Sequence, residues 1–114
     1  MIQRLKTSIW VDAFLRQAMV DGHYGAVIRK GAEEAGSVLL VINRLDGTHD
    51  LLEPPPGPAY TEEGVRKFRK ANATGLSAAE VSERTAHKRK QDPDLWIVEV
   101  EDRTGFGGAH VVVE

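Results

Sequence analysis

Apolar and polar positions alternate most clearly at Trp96, Val98 and Val100, which share one face of a period-two strand, with Glu99 and Glu101 on the other. Just before them, Pro93 forbids helical continuation and pushes Asp92 towards extended geometry. Residues 92–103 thus hold a helix stop, an aromatic anchor, a strand and the densest run of carboxylates in the chain. The rest of the chain is read as cover for the Trp96 face. Trp96 is expected between the sheet and the first helix, beside Trp10 or Phe14.

The first helix is predicted over residues 8–21, with Ser8 as N-cap and Gly22 as its stop. Trp10, Val11, Phe14, Leu15, Ala18 and Met19 sweep about half of its circumference, while Asp12, Arg16 and Gln17 lie opposite. Ile9 and Val20 fall on the polar side, so the stripe is broad, as suits packing on a sheet. Residues 26–29 read as a short edge strand, and residues 33–36 as a turn. Residues 37–45 follow as the longest apolar run. Val38, Leu40 and Ile42 alternate there with Leu39, Val41 and Leu45, so this strand is apolar on both faces and should be central and covered twice. Asp46-Gly47 signals a two-residue hairpin turn, and residues 48–53 return. The proline-rich run 54–58 is a stiff connector rather than a polyproline ligand, being short and without a flanking basic residue.

Residues 59–75 give no periodicity, and a helical turn and a long mobile loop both stay open, with Phe68 the one large apolar anchor. Ser77 and Glu80 then form a capping box opening a helix to Gln91, with few apolar positions beyond Val81. Lys88, Arg89 and Lys90 fall in its last turn, where the helix dipole favours cations. A Gly-rich tail at 104–109 leads into a last strand from His110. The predicted fold is α+β: one domain over residues 1–114, a mainly antiparallel sheet of four to five strands, and two helices packed on one face. Its second face still needs a cover, either residues 59–75 or a second copy of the chain in a homodimer.

Composition narrows the chemistry. The absence of cysteine removes thiol nucleophiles, thiolate zinc sites and disulfides. No window reaches the roughly 18 apolar residues of a membrane span, and the opening residues 1–6 lack a signal peptide's apolar core, so a soluble cytoplasmic protein is expected. Charge is segregated along the chain: residues 61–90 hold eight Lys or Arg against four acids, and residues 91–114 one against six. Such alternation supports complementary patches within or between subunits, and differs from the uniform basicity of a nucleic-acid binder.

Three features carry the resemblance of the chain. They are Arg4-Leu5-Lys6 ahead of Trp10-Val11, Ala35-Gly36 ahead of the apolar strand, and Asp92-Pro93-Asp94-Leu95-Trp96 leading into Glu99-Val100-Glu101-Asp102-Arg103. Over about residues 3–103 the chain resembles a bacterial, mostly alphaproteobacterial family catalogued as domain of unknown function 1491. The resemblance implies a compact cytoplasmic α+β domain and brings no activity or catalytic residue with it.

The residues themselves show no catalytic constellation. Asp94, Glu99 and Glu101 invite comparison with metal-dependent hydrolases, yet Asp94 lies on the opposite strand face and Glu101 stands where a lysine would be needed. His23, His49, His87 and His110 lack zinc spacing, and no glycine loop opens a helix as phosphate or dinucleotide sites require. No metal, cofactor or catalytic residue is therefore expected. The function expected is that of a small protein-interaction or assembly module. Its candidate surface comprises Arg66, Lys67, Arg69, Lys70, Lys88, Arg89, Lys90, Glu99 and Glu101. The alternatives are weak nucleic-acid contact through the basic groups at 66–70 and 88–90, with Phe68 or Tyr60 for stacking, and the metal-dependent hydrolase.

Overall fold

The computed structural model describes residues 5–113. Residues 1–4, which include the Arg4 of the resemblance, lie outside the described residues, as does residue 114. The elements are α1 (Thr7–Val20), β1 (Gly25–Arg29), β2 (Val38–Asn43), β3 (His49–Glu53), β4 (Lys67–Lys70), α2 (Ala78–Gln91), β5 (Trp96–Glu101) and β6 (His110–Val111). The six strands form one sheet in the order β1-β5-β2-β3-β4-β6. The α+β class and both helices are as expected, but the sheet is mixed. β5 lies antiparallel to β1 and parallel to β2, and β4 and β6 are also parallel. The reason is α2: it carries the chain back so that β5 enters beside β2 in the same direction, as parallel neighbours require.

The two helices do not share a face. Val38, Leu40, Ile42, Leu52, Trp96, Val98 and Val100 pack with Val11 and Ala18 of α1. Leu39, Val41, Leu51, Leu95 and Ile97 pack on the opposite side with Leu76, and Val81 of α2 joins them. The central strand is therefore covered twice within one chain: α2 and Leu76 cover the second face, Ala71 of residues 59–75 adds to it, and no second copy is needed there. The thin stripe of α2 concealed this, because the helix has no fully buried residue of its own and Leu76, just ahead of its cap, supplies much of the cover.

Local differences follow from particular bonds. α1 starts at Thr7 with Lys6 in the N-cap position and no side-chain cap, instead of at Ser8. Thr7 and Ser8 donate their N–H groups to the Glu34 and Glu33 carbonyls, and the Thr7 hydroxyl donates to Gly36 O at 2.8 Å. Loop carbonyls thus do the work of a cap. Met19, placed in the apolar stripe, is 71% exposed. The Asp46-Gly47 hairpin exists but its turn is longer than two residues. The Leu45 N–H bonds to Asn43 Oδ1 at 2.9 Å, closing the strand early and leaving Leu45 in the turn at φ 62°.

Residues 59–75 are neither a helical turn nor a long loop, since they contain β4, paired with β3 on one side and β6 on the other. Phe68 is buried against α1, 5.7 Å from the Trp10 ring. The capping box is present: Ser77 Oγ accepts from the Glu80 N–H, and the Glu80 carboxylate accepts from the Ser77 N–H, both at 3.1 Å.

Trp96 is buried in the α1-side core, to which Trp10 and Phe14 also belong. Its indole N–H donates to Ala32 O at 2.7 Å. A Cβ at Gly31 would lie 2.6 Å from Trp96 Cδ1, and one at Gly36 2.9 Å from it, and both would collide with the Asp94 carbonyl. These glycines are required by close approach of the chain.

Two outcomes follow for chemical denaturation. Trp96→Ala should destabilise the protein by about 3–5 kcal/mol, and Gly36→Ala by about 1–3 kcal/mol through overpacking. An unchanged urea midpoint in either variant would contradict this seat for Trp96.

Candidate functional site

Charged residues of the sheet are gathered around β3. Glu53 accepts from Lys88 Nζ at 2.6 Å and from Arg69 Nε at 2.8 Å, joining α2, β3 and β4. Burial pushes the Glu53 carboxyl up, but these two cations outweigh it and hold its pKa below the usual glutamate value. Asp50 is buried in β3, bonded by Arg44 at 2.6 Å and Asn72 at 2.8 Å, with Lys70 Nζ at 3.5 Å. Here too burial raises the pKa and is outweighed, by the Asn72 and Arg44 hydrogen bonds and the two positive charges.

Arg44 extends this network to the C-terminal loop, donating to Asp102 O and Gly105 O, with its guanidinium 5.2 Å from the Phe106 ring. Asp102 is buried beyond it and accepts from the backbone N–H groups of Thr104, Gly105 and Gly107 at 2.9–3.1 Å. Burial raises its pKa, and those three donors together with nearby His23 bring it below the usual aspartate value. This loop-holding carboxylate had a readable signal, an aspartate directly ahead of a Gly-rich turn.

The basic residues named from the sequence are thus divided. Arg69, Lys70 and Lys88 sit against the carboxylates of β3, whereas Arg89 and Lys90 are exposed on the last turn of α2. Lys67 is half-buried in β4. Arg66 is 8% exposed, and its guanidinium carbon lies 5.0 Å from the Trp10 ring and 5.2 Å from the Tyr60 ring. It lines a half-open cavity of about 490 Å³ beside the start of α1 and Gly36. Burial lowers its pKa from the usual arginine value, an effect the neighbouring Tyr60 hydroxyl offsets in part.

The acidic candidates lie elsewhere. Glu99 and Glu101 are half-buried on β5 and line a shallow depression with Tyr24, Ala26 and Ile28 of the β1 region. Asp94 is exposed in the turn before β5. Among the described residues, no group of three His, Cys, Asp or Glu is placed to hold a metal ion. The histidines are dispersed: His23 Nε2 lies 3.6 Å from Asp102, His49 Nδ1 lies 3.1 Å from Leu76 O, and His87 and His110 are exposed. No described helix is long and apolar enough to cross a membrane.

Among the described residues the outer edge of the sheet at β1 is open, since β5 is the one strand beside β1. Ten large apolar side chains are exposed among the described residues, and five of them fall within residues 19–28: Met19, Val20, Tyr24, Val27 and Ile28. Sequence patterning marked this strand as an edge but gave no sign that the exposure would concentrate there.

An α+β fold with one helix on each face of a mixed six-stranded sheet defines the class of the protein. The chain belongs to the family described as protein of unknown function (DUF1491), which matches residues 5–108. It is similar to the crystal structure of a DUF1491 family protein from Caulobacter crescentus, with 31% identity, TM-score 0.76, and 95% of this chain and 99% of that one covered. The solution structure of protein Atu0922 from A. tumefaciens is also similar, at 31% identity and TM-score 0.81, with 98% of each chain covered. No match is found among curated proteins.

Asp102 carries a pH prediction. Its folded pKa is depressed, so its contribution is present above the unfolded value near pH 4 and is lost as pH falls through the folded value. Asp102→Asn should cost about 1.5–3 kcal/mol at pH 7 by weakening charge-assisted hydrogen bonds. In urea titrations the gap to wild type should narrow as pH falls below about 4. A gap of constant size would show that the charge does not hold the loop.

Proposed function

We propose that the protein is a small assembly module of the cytoplasm, without a catalytic site, which forms a two-fold homodimer through the β1 edge. The carrying observation is the concentration of exposed apolar side chains at residues 19–28 beside an unpaired strand edge. Soluble proteins normally blunt or cover such an edge. Antiparallel pairing of β1 with its symmetry mate joins the two sheets and buries Val27 and Tyr24 of both copies. The bulge between Val27 and Arg29 limits that ladder to the first part of the strand.

Charge favours a second copy as the occupant. Glu101 N–H bonds to Tyr24 O, so Glu101 stands at the start of β1, while exposed Lys30 follows its end. Antiparallel pairing brings Lys30 of each copy towards Glu101 of the other, twice per dimer. Nucleic-acid contact has less support, because Arg69, Lys70 and Lys88 already face carboxylates and Arg66 is buried. The metal-dependent hydrolase has less still, because Asp94, Glu99 and Glu101 do not assemble into a metal-binding group.

Sedimentation equilibrium at micromolar concentration should give twice the 12.5 kDa chain mass. Val27→Glu, at a position already 40% exposed, should return the mass to the monomer without loss of fold. A 12.5 kDa species at every concentration would overturn the dimer.

A further inference from the structure

We propose that the cavity beside Arg66 is a binding site for a small organic anion, a carboxylate or phosphate group carried on a flat apolar body. The inference is independent of the dimer, since the cavity is lined from residues 5–7, 34–37, 54, 59, 60 and 66, and β1 contributes nothing to it.

The first reason is the state of Arg66. The six other basic residues of the candidate surface are either exposed or half-buried on β4 and α2, whereas Arg66 is more than nine-tenths buried. Its Nε is the one buried side-chain nitrogen or oxygen among the described residues that lacks a hydrogen-bond partner. A guanidinium carries five N–H donors in a rigid fork matched to carboxylate and phosphate oxygens. The Trp10 and Tyr60 rings, 5.0 and 5.2 Å from its guanidinium carbon, offset part of the desolvation by cation–π attraction, but a ring face does not replace an acceptor in the guanidinium plane. Leaving such donors unmet in a buried setting is costly. Arg66 is among the residues that line the cavity, so an oxyanion held there is placed to meet the guanidinium.

The second reason is the surroundings. α1 begins at this cavity with no acidic residue in its first turn, so its positive end is met there by loop carbonyls and by Glu34 from outside the helix, not by a carboxylate of its own. Lys6 adds a cation to the rim, 3.6 Å from Glu34, the one carboxylate lining the cavity. Thr7 and Ser37 supply polar atoms, while Leu5, Pro54 and Tyr60 make apolar walls. At about 490 Å³ the cavity falls within the usual size range of ligand pockets and is larger than a bare phosphate requires. Hence the apolar body.

Phenyl phosphate, benzoate and inorganic phosphate are the probes, titrated into isotopically labelled full-length protein and followed by amide and indole NMR shifts. Phenyl phosphate or benzoate should give saturable shifts at residues 35–37, 60 and 66 and at the Trp10 indole, and the one that binds identifies the head group. Inorganic phosphate should bind at least tenfold more weakly. Arg66→Gln should abolish saturation. Because that variant removes packing as well as charge, Glu34→Gln provides the second arm. Glu34 is an exposed position, and its neutralisation removes repulsion and frees Lys6, so affinity should rise severalfold. Unsaturable shifts with both organic probes, shifts scattered over exposed lysines, equal binding of inorganic phosphate, or no gain in Glu34→Gln would each overturn the site.

Discussion

The approach of residues 94–96 to the loop at 31–36 leaves no space for a side chain at Gly31 or Gly36, and the rest of the fold depends on that contact. Ala32 donates its N–H to Asp94 O and accepts the Trp96 indole N–H, so the loop grips the entry of β5 from two sides. The Arg29 guanidinium adds bonds to Leu95 O and Pro93 O from the end of β1. The same loop receives the first N–H groups of α1 and the Thr7 hydroxyl. One junction therefore fixes where α1 begins, where β5 enters and how both stand relative to β1. With β5 seated between β1 and β2, Trp96, Val98 and Val100 face α1, and Leu95 and Ile97 face the α2 side.

Closing both faces of the sheet within one chain changes where function can reside. Its apolar interior is complete, and Arg69, Lys70 and Lys88 are spent on the carboxylates of β3. What remains is peripheral: an unpaired edge at β1 and a cavity built against buried Arg66. Three arginines show how context divides one side chain among roles. Arg29 and Arg44 tie loop carbonyls to the sheet, while Arg66 has its rings but lacks an acceptor for Nε. The first two are structural pins, and the third has capacity to spare.

Much of this architecture is legible in the chain itself. The alternation of Trp96, Val98 and Val100, the two-faced run of β2 and the Ser77–Glu80 capping box each rest on local chemistry that no distant contact overrides. Pairing direction is not local: whether β5 runs with or against β2 depends on the path of α2, and no residue in either strand records it. The placement of α2 was hidden because its cover is shared with Leu76, outside the helix. β4 was illegible for a different reason. Its alternation is carried by Phe68 alone, among Lys67, Arg69 and Lys70, whose charges are satisfied by residues far along the chain. Arg66 likewise reads as one more surface cation until Trp10, distant in sequence, is seen with Tyr60 against its guanidinium.

Native-state hydrogen exchange tests the central position of β5 most directly. If the junction at Gly31, Gly36 and Trp96 organises the fold, the amides of residues 97–100 and 39–42 should be the slowest in the protein. They should exchange only through global unfolding, with the full denaturant dependence of the unfolding free energy. Amides of β5 that exchange early, through local opening insensitive to denaturant while β3 and β4 stay protected, would contradict the account.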